Sequence, residues 1–292
     1  MNILILNIND FGFSLEELAS FNRLQDTIDT LGAFSLDSGS NNSDIGLFQE
    51  RDIKLDHSRI SNIIQGRGEE FKVGFKINAG VMNLGYAELT LTSKDDLQCF
   101  FRVTKFEPLK LADRAKEISA IVSVCRPQIF KKILYIGGMC GIDQMIFYHG
   151  DRIERGYLNS PVYSNQKIFE AVLLGMEQGR KIVFPKIKFI PKLKDCLVAT
   201  PNAIYFDQQS ENSIYEFATS HRDQRNESSV DSVHVKEKIS FVLGAEAGFS
   251  DKEYELLKSL GVQSLKLFDA TLRLEYAFQA AISQIDLFKN KL

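Results

Sequence analysis

The sequence predicts an α/β protein in two parts, a small β-rich domain followed by a larger one built on a mainly parallel sheet. Three observations carry this reading. Up to about Leu111 the chain runs in short stretches of alternating apolar and polar residues. Beyond that point apolar strand candidates alternate with helix-length amphipathic segments, the rhythm of βα units. Between the two, Pro108 and the polar run KLADRAKE (110–117) break both patterns and mark a boundary. A chain of 292 residues, 44% hydrophobic and 25% charged, is long enough to bury two ordinary cores.

In the first part, FKVGFKI (71–77), YAELTLT (86–92) and LQCFFRVTKF (97–106) read as strands, with Gly74, Gly80 and Gly85 supplying turns or bulges. Helix is expected near Ser14–Phe21 and Ser58–Gln65. In the second part, ISAIVSVC (118–125) is a buried-strand candidate, and Pro127, favoured in a first turn, opens a helix after it. DQMIFYH (143–149) is a further strand. NQKIFEAVLLGMEQGRK (165–181) spaces Ile168, Val172, Leu173 and Met176 on one helical face. NAIYFD (202–207), KISFVLG (238–244) and SLKLF (264–268) read as strands, and helices over roughly 251–260 and 271–288 flank the last. The polar tract between Gln208 and Lys238 is expected to be a surface loop.

Cys99, Cys125, Cys140 and Cys196 stand far apart, with no C-x-x-C pair and no zinc spacing, and the four histidines are scattered. Reduced thiols and no metal site are the expectation. MNILILNIND has no basic region before its apolar stretch, and no run reaches membrane-spanning length, so a soluble, cytoplasmic protein is expected.

The net charge of −3 argues at first against a nucleic-acid binder. Its distribution reverses the argument. Between Cys125 and Lys194 twelve basic side chains face five acidic ones, +7 for the segment and −10 for the rest. One positive face on an acidic protein, or a set of solvated helix faces, would each account for this.

The segment 238–281 reads strand, glycine-bearing loop, helix, strand, short loop, long helix. Ser250 and Glu253 form a capping box, so the loop Gly244–Phe249 leads into a helix N-terminus whose free N–H groups can face a ligand. Neither a P-loop nor a dinucleotide fingerprint is present. Taken alone, this loop is more readily a structural turn than a ligand site.

VLGAEAGFSDKE followed by LKLFDATLRLEYA resembles the paired signature of the ribosomal RNA small subunit methyltransferase E family of the SPOUT superfamily. Matching positions are Gly244, Glu246, Gly248, Phe249, Ser250 and Glu253, then Leu267, Leu272, Arg273, Glu275 and Ala277. Upstream, CRPQIFKKILYIGGMCGIDQMIFYHGDRIERGYLNSP resembles the family's first strand–helix–strand, with Gly141 and Arg152 in their usual places. MEQGRKIVFPKI resembles a later segment and aligns Glu177, Gln178, Arg180 and Pro185. DHSRISNIIQGRGEEFKVG (56–74) is similar to part of the family's N-terminal barrel. The departures are Ala245 and Ala247 for Pro and Gly, Phe268 and Ala270 for Gly and Arg, Tyr276 for Thr, and Met139 for an acid. An alanine in left-handed geometry would cost roughly 1 kcal/mol, and the Phe268 ring would crowd a cofactor.

The resemblance implies a PUA-like RNA-binding β-barrel over residues 1–112 and a SPOUT α/β domain with a C-terminal trefoil knot over 113–292. It implies a homodimer whose active site draws on both subunits, S-adenosyl-L-methionine (SAM) as cofactor, and methylation of N3 of a uridine in 16S ribosomal RNA or the small subunit. The implied cofactor contacts are Leu243, Gly244, Glu246, Gly248, Leu267, Leu272 and Arg273, with a further edge at Thr200–Asn202. Uridine N3 must lose a proton before it attacks a sulfonium methyl, so a cation near the developing anion is needed. Arg273, Arg152 and Arg180 are the candidates, with salt bridges to Glu177 or Glu275 as the structural alternative. Glu246 reads as a loop brace rather than a base, and His57 as a packed barrel residue. The base is unassigned. A knotted protein that binds RNA without catalysis, and a methyltransferase with another RNA target, are the rival readings.

Overall fold

The computed structural model of the protein describes residues 3–6, 10, 50–61, 71–109, 118–200, 202–217 and 238–291, with side chains as far as Leu287. The chain divides into two compact units, Met1–Asp113 and Arg114–Leu292.

The first unit is a five-stranded sheet in the order β1-β3-β4-β5-β2, from β1 (Leu4–Leu6), β2 (Asp52–Asp56), β3 (Lys76–Val81), β4 (Gly85–Lys94) and β5 (Gln98–Pro108). β1 lies parallel to β3, and the other pairs are antiparallel. In β2 the strict alternation of DIKLD buries Ile53 and Leu55 and exposes Asp52, Lys54 and Asp56. Those two join Leu89, Leu91, Phe101 and Val103 in one core.

The expected strand over 71–77 is corrected. Residues 71–75 form a turn in which Phe75 N–H donates to Lys72 O at 2.8 Å and Gly74 takes φ +89°, a left-handed geometry that ends strand pairing. The strand starts at Lys76 instead, and Gly80, expected at a turn, sits inside it opposite Tyr86. Gly85 does lie at a tight point, since a Cβ there would come 2.2 Å from Glu107 O. Helix begins at His57 and continues through 61, while its expected remainder, the helix over 14–21 and the run 110–117 lie outside the described residues.

The second unit holds six parallel strands in the order β11-β9-β10-β6-β7-β8. They are β6 (Ile118–Ser123), β7 (Gln144–Tyr148), β8 (Lys186–Phe189), β9 (Ala203–Phe206), β10 (Ile239–Leu243) and β11 (Gln263–Leu265). Every residue of β6, β7 and β10 is buried, as a parallel sheet with covered faces requires. On one face lie α1 (Pro127–Cys140), α2 (Asn165–Gly179) and α5 (Leu274–Lys291). Phe130 of α1 meets Phe147 edge-on at 4.7 Å, and Phe278 of α5 lies 5.9 Å from Phe241. On the other face α3 (Leu193–Ala199) and α4 (Asp251–Ser259) bury Leu193, Cys196, Leu197 and Leu257 against Ile121, Ile146 and Val242.

α1 and α2 run side by side in the same direction through glycine contacts. Cβ atoms at Gly175 and Gly179 would stand 2.0 and 1.9 Å from the carbonyl oxygens of Tyr135 and Met139. The last expected strand is shorter than SLKLF, because pairing with β9 stops at Leu265 and Phe268 is 55% exposed. Residues 218–237 of the polar tract lie outside the described residues.

Candidate active site

Because all six strands point the same way, their following loops meet at one edge of the sheet, where ligands of open parallel sheets are received. β10 delivers the loop Gly244–Phe249, β7 the loop from His149 to Arg152, β6 the turn into α1, β9 residues 207–210, and β11 the segment 266–273.

The Gly244–Phe249 loop is held in shape from several directions. Gly248 N–H donates to Ala245 O at 2.8 Å with Gly248 at φ +80°, and a Cβ on Gly244 would be 2.9 Å from Phe249 N. Arg152 Nη1 donates to Ala247 O at 3.0 Å, and Glu246 Oε2 accepts the Arg126 N–H at 3.3 Å. The capping box closes on the far side, where Ser250 N–H donates to Glu253 Oε2 at 2.7 Å and Glu253 N–H to Ser250 Oγ at 3.1 Å. Ser250 Oγ also donates to Asp151 Oδ2 at 2.6 Å, which ties this loop to the one after β7. Over Gly248 the loop is open, since a Cβ there would meet nothing within 4 Å. Ala245 and Ala247 are not among the residues with positive φ, so neither carries the backbone strain expected of it.

Leu267 and Leu272 are half-buried on the approach to α5, and Leu267 O accepts from Gln284 Nε2 at 2.9 Å. Thr271 Oγ1 donates to Gln208 Oε1 at 2.8 Å, and Gln208 Nε2 to Asp269 O at 3.3 Å. The β9 contribution to this edge is therefore 207–210. Asn202 stands just before the opposite end of that strand, and Thr200 is buried with its hydroxyl on Cys196 O at 2.6 Å, while Pro201 lies outside the described residues.

Arg273 caps α5, its carbonyl accepting from Tyr276 and Ala277 N–H groups at 3.0 and 2.9 Å. It lines a cleft of about 530 Å³ together with Arg126, Pro127, Gln128, Ile129, Lys132, Glu154 and Tyr157. Two of these cations are already engaged. Lys132 Nζ lies 3.0 Å from Glu275 Oε1, and Arg126 Nε donates to Tyr157 OH at 3.3 Å and lies 3.7 Å from Glu246. Arg273 is held by no such direct pair among the described residues, although its charge reaches Glu275.

Arg180 is elsewhere. It caps the C-terminus of α2 at φ 53°, and the neighbouring Lys181 lies against Gly141 at the far end of α1. The 14-residue length of α1 separates it from the cleft, about 21 Å at the helical rise. A single chain thus brings Arg152 and Arg273 to one edge and leaves Arg180 at the other. Arg126, Lys132, Tyr157 and Gln208 were not among the expected site residues, although the first three stand in the run that resembles the family's first strand–helix–strand.

Glu275 is buried, which pushes its carboxyl up, but a backbone N–H, the Lys132 ammonium and the Arg273 charge together outweigh this and hold it below the ordinary range. A lowered folded-state value means stability that is complete above the unfolded value and lost as pH falls through the folded one. Urea titrations are expected to show Glu275→Gln less stable than wild type by about 1–2 kcal/mol at neutral pH. The two should converge in acid, and a gap that persists there would contradict the assignment.

Comparison with known proteins adds a lineage to this geometry. Residues 112–286 match the family model of an RNA methyltransferase domain. A ribosomal RNA small subunit methyltransferase E 1 from Borreliella burgdorferi is 26% identical over 188 residues, covering 64% of this chain and 74% of its own length. The fold is shared with a ribosomal RNA small subunit methyltransferase E from Neisseria gonorrhoeae bound to S-adenosyl methionine, at 16% identity and a TM-score of 0.61, over 82% of this chain and 92% of that one. It is shared too with a Thermotoga maritima structure described as a predicted RNA methyltransferase, at 21% identity and a TM-score of 0.58, over 87% and 97%.

Proposed function

The chain belongs to the RNA methyltransferase domain family, and from that premise we propose that it transfers a methyl group from SAM to N3 of one uridine in 16S ribosomal RNA. The observation that carries the reading is the meeting, at one sheet edge, of the braced Gly244–Phe249 loop with the turn that presents Arg273.

The residues present fit the cofactor. Backbone groups around Leu243, Gly244, Glu246 and Gly248 at the end of β10, and those of Leu267 and Leu272 after β11, lie at the same sheet edge with β9 between them, and the space over Gly248 is open. Bound there, SAM supplies an electrophilic methyl on its sulfonium sulfur. The protein's own groups do the rest. Arg273 stabilises the negative charge that N3 deprotonation spreads over the uracil oxygens, and it acts in a cleft where Tyr157 offers a ring to a base. Arg152 holds the loop by its Ala247 contact, and Glu246 does so through Arg126, so both are positioning residues. Exposure of Phe268 and ordinary backbone at Ala245 and Ala247 favour a working enzyme over a non-catalytic relative.

The insertion of β10 between β9 and β6, with α5 returning over β10 and α1, supports a trefoil knot in residues 113–292. The five-stranded first unit supports a PUA-like RNA-binding barrel in 1–112. The working form is a homodimer in the cytoplasm, acting on rRNA or the small subunit, and Arg180 serves the partner's site. Among the described residues no helix is long and apolar enough to cross a membrane, and no cluster could hold a metal.

Primer extension tests the target. A methyl on N3 blocks the Watson–Crick edge, so reverse transcription of 16S rRNA should stop at one uridine when the gene is present and read through when it is deleted. Identical profiles from both strains would overturn the assignment.

A further inference from the structure

From Arg180 to Lys194 the chain carries six basic side chains and no acidic one. The structure turns part of this run into a surface. β8 is an edge strand of the parallel sheet, paired to β7 on one side only. Register places Lys186 beside Gln144 and Lys188 beside Ile146. In a parallel sheet registered neighbours project to the same face, so both lysines stand on the face where α3 covers Ile146. Phe189, one residue on, turns to the other face and stacks on Phe147 at 5.5 Å. The chain then rounds the site edge, where His149 N–H donates to Pro191 O at 2.9 Å, and enters α3 with Lys192 at its cap and Lys194 in its first turn. All four lysines are exposed, and none forms an ion pair among the described residues. Asp195 is the acid that follows.

Four solvated ammonium groups therefore form a strip that starts along the open sheet edge and ends at the edge where the site loops meet. We propose that this strip, Lys186 and Lys188 of β8 with Lys192 and Lys194 of α3, is a track for the phosphodiester backbone of the RNA substrate. The inference rests on the reading of the protein as an RNA methyltransferase and extends it to how the substrate is held. Charge complementarity selects the occupant, because lysines contact phosphates as point charges without reading sequence. Their position would let the strand reach the site edge while its target base enters the cleft. The competing account of edge-strand lysines is protection against pairing with another sheet. That account needs neither the pair on α3 nor a strip that leads to the site.

The test is binding of the full-length protein to deproteinised 16S rRNA across a salt titration, alongside SAM calorimetry. Replacing Lys186, Lys188, Lys192 and Lys194 together by Gln is expected to weaken rRNA binding about 10²-fold at physiological salt. The slope of log affinity against log salt should fall by about 3, the release expected for four phosphate contacts. SAM affinity should hold, and the corresponding four Lys→Arg changes should restore binding. Unchanged affinity and slope in the Gln variant, most plainly with new aggregation, would overturn the track and leave the lysines as edge guards. Failure of the wild type to bind rRNA at all would instead sink the methyltransferase reading beneath it.

Discussion

Replacing Arg273 by alanine is expected to lower kcat for rRNA methylation about 10²–10³-fold, with only a small fall in melting temperature from the lost charge near Glu275. The magnitude is that of removing one charge-stabilising donor from a preorganised site, roughly 3–4 kcal/mol of transition-state energy. The stability half of the expectation follows from position. Arg273 is exposed, and only its carbonyl takes part in opening α5, a role alanine keeps. Arg273 lines the cleft, where Lys132 and Arg126 already answer to Glu275 and Glu246. Lysine at this position retains the charge without the planar fork, so Arg273→Lys should recover part of the loss. Labelled-methyl incorporation into rRNA measures both variants, and full turnover by the alanine variant would remove Arg273 from the chemistry.

The second large effect is on stability. Gly175→Ala is expected to destabilise the second unit by about 1–3 kcal/mol, the range for forcing a methyl into a filled core. Helix propensity alone predicts the opposite sign, since alanine in mid-helix is favoured over glycine by about 1 kcal/mol. Geometry decides between them, because the new Cβ would stand 2.0 Å from Tyr135 O and 2.9 Å from Met139 N, both backbone atoms of α1 that cannot swing aside. Gly156→Ala is the control. Gly156 has φ −74° and open space around its Cβ, so the change there should fall within about 0.5 kcal/mol of wild type. Urea denaturation of both variants gives the answer, and a Gly175→Ala protein as stable as the control would refute the close helix contact.

What the sequence made legible was whatever a local pattern encodes. Strands buried on both faces read as unbroken apolar runs, so ISAIVS, QMIFY and ISFVL were found close to their true limits. The capping box at Ser250 and Glu253 was readable because both halves lie within four residues. Short or mixed elements were not. LIL and KIKF owe their strand geometry to a neighbour already in place, and LKDCLVA is a helix of two turns that periodicity barely registers. FKVGFKI misled because its alternation is genuine while Gly74 breaks the strand from within.

At the site, the loop residues were visible through a family pattern, but their partners were not. Arg126 meets Glu246 across 120 residues of sequence, which no spacing argument can reach. Arg180 was grouped with Arg152 and Arg273 by a family pattern and by charge, neither of which carries position within one chain. Strand direction, known only once the sheet is assembled, sends it to the opposite edge. Direction also separates Thr200 and Asn202, which precede β9, from Gln208 beyond its end, where it bonds Thr271 and Asp269.

The most direct test of the central claim is to incubate the protein with methyl-labelled SAM and unmodified 16S rRNA, digest the RNA, and identify the labelled nucleoside. The account predicts label in 3-methyluridine and in no other product. Label in a ribose-methylated nucleoside or another base would contradict the assigned chemistry, and no label on free rRNA or intact small subunits would contradict the enzyme.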